Sequence, residues 1–264
     1  MLEIIREIPD ETLKGSIVFA HGICHGAWCW YHFTDFFRSR GYACYALSYR
    51  GHGKSDGKKG SLEDNAIDVG CVVDIAFKET GYKPYLVGHS MGGAVVQKYA
   101  GKNQEKISGL ILLASATAPK MPFWKSVKDT FTHKDMRISF WKAVGIKMKN
   151  LRESAFFTGS TEGLDEADYK LAEEKIENES IRVLMFGLYK KYSSNYTIPC
   201  KVMVIGSKTD RYFPEPSLKQ TRDTYENAGC TVTYIKPFEG ICHDMMLDKR
   251  WREPAEKILR FIEE

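Results

Sequence analysis

The chain has 264 residues, 43% hydrophobic and 27% charged, with a formal net charge of +4. That length fits one large α/β domain or a domain carrying an insertion, with ample apolar material for a core. Lys and Arg are scattered among acids, so no basic run points to nucleic acid, and Lys54, Lys58 and Lys59 read as a solvated loop.

Met1 to Glu7 carries acids early and has no apolar h-region, so it is not read as a signal peptide. Leu2 to Ile8 reads instead as a short strand. Ser16 to Ala20 is a buried strand that ends at His21-Gly22. Trp30 to Arg40 is a helix stopped by Gly41, and Ala43 to Leu47 is the next strand. Ser61-Leu62-Glu63-Asp64 opens a helix like a capping box, with Asp64 where Glu is more usual, and Gly81 ends it after Thr80. Residues 84–87 form a strand that runs into Gly88-His89-Ser90-Met91-Gly92 and then a helical stretch to Ala100. Leu110 to Leu113 is another apolar strand.

The rhythm breaks at Pro119. From there to Thr197 the chain reads as helical pieces rich in aromatics, among them Phe123, Trp124, Phe131, Phe140, Trp141, Phe156, Phe157, Phe186 and Tyr189. Strands return at Lys201 to Ile205 and Thr231 to Ile235, with a helix over Pro216 to Asn227 between them. An amphipathic helix from Trp251 to Glu264 closes the sequence. Continuous apolar strands alternating with helices predict an α/β fold, a mostly parallel sheet covered on both faces. The expected organisation is a core of residues 1–118 and 198–264, with 119–197 inserted as a helical cap. No apolar run approaches the roughly 18 residues of a membrane span. The seven cysteines, with no C-x-x-C pair, fit reduced thiols in a cytoplasmic protein, and no metal site is expected.

Gly88-His89-Ser90-Met91-Gly92 carries the chemistry. A sharp turn between strand and helix presents Ser90 at the helix N-terminus, where free N–H groups favour a developing anion. A serine hydroxyl needs a base, and the base needs orienting. His243 follows the last strand in a loop at the carboxyl end of the sheet and comes last in chain order, which selects it among seven histidines. Asp210 lies directly past the strand 201–205, whereas Ala114 to Thr117 after the preceding strand offers no carboxylate. Glu239 and Asp244 are the runners-up. The oxyanion hole calls for two N–H groups, assigned to Met91 and to Ile23 in the loop after the second strand. Gly22 permits close approach there, and His21 orients the loop.

With these residues in place, the chain resembles the α/β-hydrolase superfamily over essentially its whole length. His21 to Tyr31 (His-Gly-Ile-Cys-His-Gly-Ala-Trp-Cys-Trp-Tyr) is similar to the plant methylesterase and hydroxynitrile lyase branch; the remainder resembles bacterial esterases and lipases. Ser48 to Ser55 resembles a widespread superfamily loop in which an Asp usually stands near position 48. Family lyases carry a threonine after the oxyanion-loop histidine and a lysine after the catalytic one. Gly22 and Asp244 stand there instead, which argues against a lyase. Dehalogenases and epoxide hydrolases of this fold use an aspartate nucleophile, and position 90 is serine.

The resemblance implies a Ser90–His243–Asp210 esterase without metal or organic cofactor, acting on small to medium hydrophobic esters. Gly22, Cys24, Phe123 and Trp124 are expected to contact substrate. The same residues also fit a carbon–carbon bond hydrolase, or a ligand receptor that keeps the triad.

Overall fold

The structure is a computed structural model that describes residues 1–10, 12–120, 123–147, 150–185 and 191–264, without the side chains of 123–126. Among the described residues seven strands build one sheet: β1 (Ile4–Glu7), β2 (Gly15–Ala20), β3 (Tyr42–Leu47), β4 (Tyr85–His89), β5 (Gly109–Leu113), β6 (Lys201–Ile205) and β7 (Val232–Tyr234). Their order is β1-β3-β2-β4-β5-β6-β7. Only β1 runs antiparallel, pairing Ile4 with Leu47; the other five pairings are parallel.

The central strands are apolar at successive positions because both faces are covered. Ile17 and Phe19 of β2 point into one core with Trp30, Phe33 and Met245, while Val18 and Ala20 point into the other with Tyr45, Val72 and Val95. Side chains alternate across a strand, so this assignment follows from the period of two. α1 (Tyr31–Arg38) and α9 (Arg252–Glu263) cover the first face, and α2 (Leu62–Thr80) and α3 (Met91–Ala100) the second. α2 starts as its sequence predicts: the Ser61 side chain accepts from Asp64 N–H and the Asp64 side chain accepts from Ser61 N–H. It stops at Gly81, whose φ of 74° is the left-handed conformation of a helix C-cap.

Between β5 and β6 the chain forms α4 (Phe123–Thr132), α5 (Lys134–Ala143), α6 (Glu166–Lys175) and α7 (Ile181–Leu184). This is the stretch expected as a helical insertion. α8 (Glu215–Asn227) lies between β6 and β7. The seven cysteines form no disulfide. Among the described residues no helix is long and apolar enough to cross a membrane.

Candidate active site

Ser90 sits between β4 and α3 with φ 54° and ψ −124°. This is a strained conformation for a residue with a side chain, of the kind that concentrates at functional sites. The turn closes because Gly92 has no Cβ: one built there would lie 2.4 Å from the carbonyl oxygens of Ala20 and His21. Ser90 N–H donates to Leu113 O, and Ser90 O accepts from Gly93 and Ala116. The serine is thus anchored by its own backbone across β5, with its side chain left at the cavity wall.

His243 and Asp210 lie side by side. Nδ1 of His243 donates to Asp210 Oδ2 at 2.8 Å. The other carboxylate oxygen accepts from the N–H groups of Tyr212 and Phe213, at 2.7 and 3.2 Å. Both side chains are buried, so this charge is held by a full set of donors rather than by water. Glu239 is exposed and paired with Lys208, away from His243. The imidazole of His243 lies 4.7 Å, ring to ring, from His89, the neighbour of Ser90. It lies 4.6 Å from the ring of Tyr212.

Ser90, Ile23 and Met91 line one cavity of about 300 Å³. Met91 opens α3, where the first N–H groups have no intrahelical acceptor. The N–H of Ile23 meets no acceptor among the described residues. Its carbonyl-side neighbour is fixed: His21 Nδ1 donates to Gly22 O at 2.7 Å, and His21 Nε2 accepts from Tyr49 N–H at 3.2 Å. Burial and then the neighbouring His52 hold the His21 pKa well below its usual value, which leaves the neutral tautomer these bonds require. Gly22 has no room for a side chain. A Cβ would stand 2.9 Å from Ser90 Cβ and 3.0 Å from His89 Nδ1.

The rest of the cavity wall is mostly apolar, Thr130 and Ser139 apart, and comes mostly from the inserted helices, including Phe131, Phe140, Ala143, Ile181 and Leu184, with Tyr212 and Phe213 from the Asp210 loop. The aromatics of the insertion therefore divide. Phe131 and Phe140 face the cavity, while Phe156 and Phe157 are buried in the main core. The side chains expected at Phe123 and Trp124 lie outside the described residues, as do Phe186 and Tyr189. Of the other expected contacts, Cys24 takes φ 66° and is fully buried, and Gly22 packs against Ser90; neither is among the residues lining this cavity.

Two buried histidine–carboxylate pairs near the site were not anticipated from sequence. His25 Nε2 lies 2.9 Å from Asp244 Oδ2, and His25 Nδ1 lies 2.6 Å from Ile23 O. Both partners are acceptors, so both ring nitrogens carry protons. Burial opposes that charge, yet Asp244 outweighs it and the His25 pKa is raised. For Asp244 burial likewise opposes ionisation, and the charge and hydrogen bond of His25 bring its pKa below the usual value. In the second pair, His52 Nε2 donates to Glu179 Oε2 at 3.1 Å. His89 is of the other kind. Burial, then electrostatic interaction with the neighbouring His243 ring, pushes its pKa down to about 3, and its neutral ring donates Nε2–H to His243 O at 3.0 Å.

Among the described residues, His89, His243 and Asp244 bring three possible metal donors within 4.8 Å of one another. Part of each is already engaged: His243 Nδ1 with Asp210, Asp244 Oδ2 with His25 and His89 Nε2 with His243 O, while Asp244 Oδ1 and His89 Nδ1 make no hydrogen bond among the described residues.

The chain is similar to known proteins at the level of sequence and of fold. A monoacylglycerol lipase of Mycolicibacterium smegmatis is 36% identical over 112 residues, 41% of this chain and 40% of the relative. Methyl jasmonate esterase 1 of Vitis vinifera is 37% identical over 108 residues, 40% of this chain and 41% of the relative. The match thus spans about two fifths of the length of these curated relatives. A solved structure of a thermostable carboxyl esterase from Bacillus coagulans superposes with a TM-score of 0.72, at 20% identity, over 99% of this chain and 93% of that one, a likeness of fold. Residues 11–250 match the Hydrolase_4 family, described as serine aminopeptidase, S33, and the chain therefore belongs to that family within the α/β-hydrolase superfamily.

Proposed function

We propose that the protein hydrolyses carboxylic esters of small to medium hydrophobic substrates through an acyl-enzyme on Ser90. The observation that carries this reading is the 2.8 Å bond between His243 and Asp210 beside a cavity walled by Ser90, Ile23 and Met91. His243 Nε2 takes the proton of Ser90 as Oγ attacks the ester carbonyl. The N–H groups of Ile23 and Met91 receive the oxyanion. His243 then gives the proton to the leaving alcohol, which departs as the carbonyl re-forms. In the second half a water is deprotonated by His243, attacks the acyl carbon and releases the acid with Ser90 reprotonated. Asp210 holds the tautomer with Nδ1–H throughout. The chemistry needs no metal or organic cofactor.

The apolar wall selects the acyl group. A cavity of about 300 Å³ excludes water from the carbonyl and rewards each buried methylene by roughly 0.8 kcal/mol. The inserted segment 119–197 acts in this reading as a cap over the catalytic serine. The relatives named as a monoacylglycerol lipase and a methyl jasmonate esterase, and the carboxyl esterase fold, support an ester as substrate. A series of p-nitrophenyl esters from acetate to palmitate tests it. kcat/KM is expected to rise to a medium acyl length and fall beyond it. Hydrolysis of none of them by folded protein would contradict the reading.

A further inference from the structure

The loop that supplies Ile23 is held by the inserted segment. Cys24, the next residue, stands at φ 66°, a conformation that side chains other than glycine rarely adopt. Such a turn persists only when its surroundings over-determine it. Here both polar groups of its backbone are taken by residues 177–179. Cys24 N–H donates to Glu179 Oε2 at 3.2 Å, and Cys24 O accepts from Glu177 N–H at 2.9 Å.

Glu179 is itself fixed on every side. Its Oε2 also accepts from His52 Nε2, its Oε1 accepts from Ser180 N–H at 2.7 Å, and its own N–H donates to Ala143 O at 2.7 Å. The Glu179 and His52 side chains have no exposed surface. Glu177, beside it, accepts from Gly53 N–H and from Lys59 Nζ, at 2.9 and 3.0 Å. The segment 177–179 therefore joins three parts: the loop after β2, the Arg50–Lys59 loop and the end of α5. Two residues later α7 begins, and its Ile181 and Leu184 form part of the cavity wall.

A buried carboxylate is costly to desolvate and weak as a source of net stability. What this one does is place the groups it binds. We propose that Glu179 is a positioning residue for the oxyanion hole: it fixes the turn at Cys24, keeps the Ile23 N–H facing the Ser90 side of the cavity, and so makes transition-state stabilisation depend on the inserted segment being docked. This rests on the reading of Ser90 and Ile23 given above. It also assigns work to His52, in the Ser48–Ser55 loop, as the residue that holds Glu179.

The test uses the full chain and its Glu179→Gln and Glu179→Ala variants with two probes. One is p-nitrophenyl acetate, too short to fill the cavity. The other is a p-nitrophenyl alkylphosphonate: Ser90 Oγ bonds to phosphorus, p-nitrophenolate leaves, and the phosphoryl oxygen occupies the oxyanion hole. Removing an oxyanion donor outright costs about 10²–10³ in kcat. Loosening one is expected to lower kcat and the phosphonylation rate together, by about 10-fold or more, with KM changed less than about twofold. A purely structural role would lower melting temperature while leaving the per-molecule rates of the folded variant at the wild-type value, and that result overturns the proposal. If the Glu179 variants do not fold, His52→Asn replaces them. It is expected to give the same parallel fall at smaller size, and wild-type rates there overturn the proposal equally. Failure of the underlying reading looks different: wild-type protein would not be phosphonylated at Ser90 by mass spectrometry.

Discussion

His25 and Asp244 form a fully buried pair, 2.9 Å between Nε2 and Oδ2, that ties the loop carrying Ile23 to the loop carrying His243. The residues are 219 positions apart, yet the pair fixes one candidate oxyanion donor relative to the candidate base. His25 reaches Ile23 O with its other nitrogen, so one imidazole registers the two halves of the site.

Asp244→Asn should reveal this pair in its pH dependence. The pKa of Asp244 is lowered, so its contribution is present above the unfolded value of about 3.9 and is lost as pH falls through the folded one. The pKa of His25 is raised, so its contribution is complete below about 6.5 and is lost as pH rises through the folded value. The stability difference between wild type and Asp244→Asn is therefore largest between about pH 4 and 6.5. Breaking a buried pair costs about 3–5 kcal/mol. Urea denaturation across pH 3 to 9 measures it, and a difference independent of pH would contradict the assignment.

Asp210→Asn should lower kcat by roughly 10⁴ with little effect on folding. Tyr212 and Phe213 N–H groups demand an acceptor at Oδ1. The asparagine must then turn its NH₂ toward His243 Nδ1, which forces the wrong tautomer. Glu239→Gln, at an exposed residue paired with Lys208, should stay within about twofold of wild type. Steady-state kinetics on both variants decides between the two acids, and a crippled Glu239→Gln beside an active Asp210→Asn would reverse the assignment.

Much of this was legible in the sequence because each signal was local. β2 to β6 are runs of apolar residues buried on both faces, so neither face offered a polar stripe that could confuse the period. Ser90, Asp210 and His243 follow strands at the carboxyl end of the sheet, and that position alone narrows the choice. The Ser61–Asp64 capping box needed only spacing. The buried histidine–carboxylate pairs were not legible. His25–Asp244 and His52–Glu179 join residues 219 and 127 positions apart, and pairing of that range is decided by the fold. Nothing local in the sequence links Asp244, beside His243, to His25 in the loop that carries Ile23. The left-handed turn at Cys24 was not legible either, because nothing in the local sequence asks for a positive φ at a cysteine.

Gly92→Ala should damage the fold before the chemistry. The new Cβ would meet two backbone oxygens at 2.4 Å, and backbone cannot rotate aside as a side chain does. A loss of about 1–3 kcal/mol or more is expected from overpacking of this kind. Thermal melting followed by circular dichroism checks it. An unchanged midpoint would mean that the strand–helix approach is looser than described.

Ala143→Leu should shorten the acyl preference. Ala143 is buried and forms part of the cavity wall with Phe140 and Leu184. Added methylenes there displace the far end of a long chain, and one methylene in an apolar pocket is worth about 1–3 kcal/mol. kcat/KM for a decanoate ester should fall at least about 10-fold while that for acetate changes little. Equal losses on both would place the acyl chain elsewhere.

Turnover of p-nitrophenyl butyrate by wild type beside Ser90→Ala decides whether Ser90 is the nucleophile. Rapid turnover is expected of the wild type and a fall of about 10⁴–10⁶ in kcat of the variant, with an unchanged circular dichroism spectrum. A Ser90→Ala protein that hydrolyses the ester as fast as wild type would contradict that role.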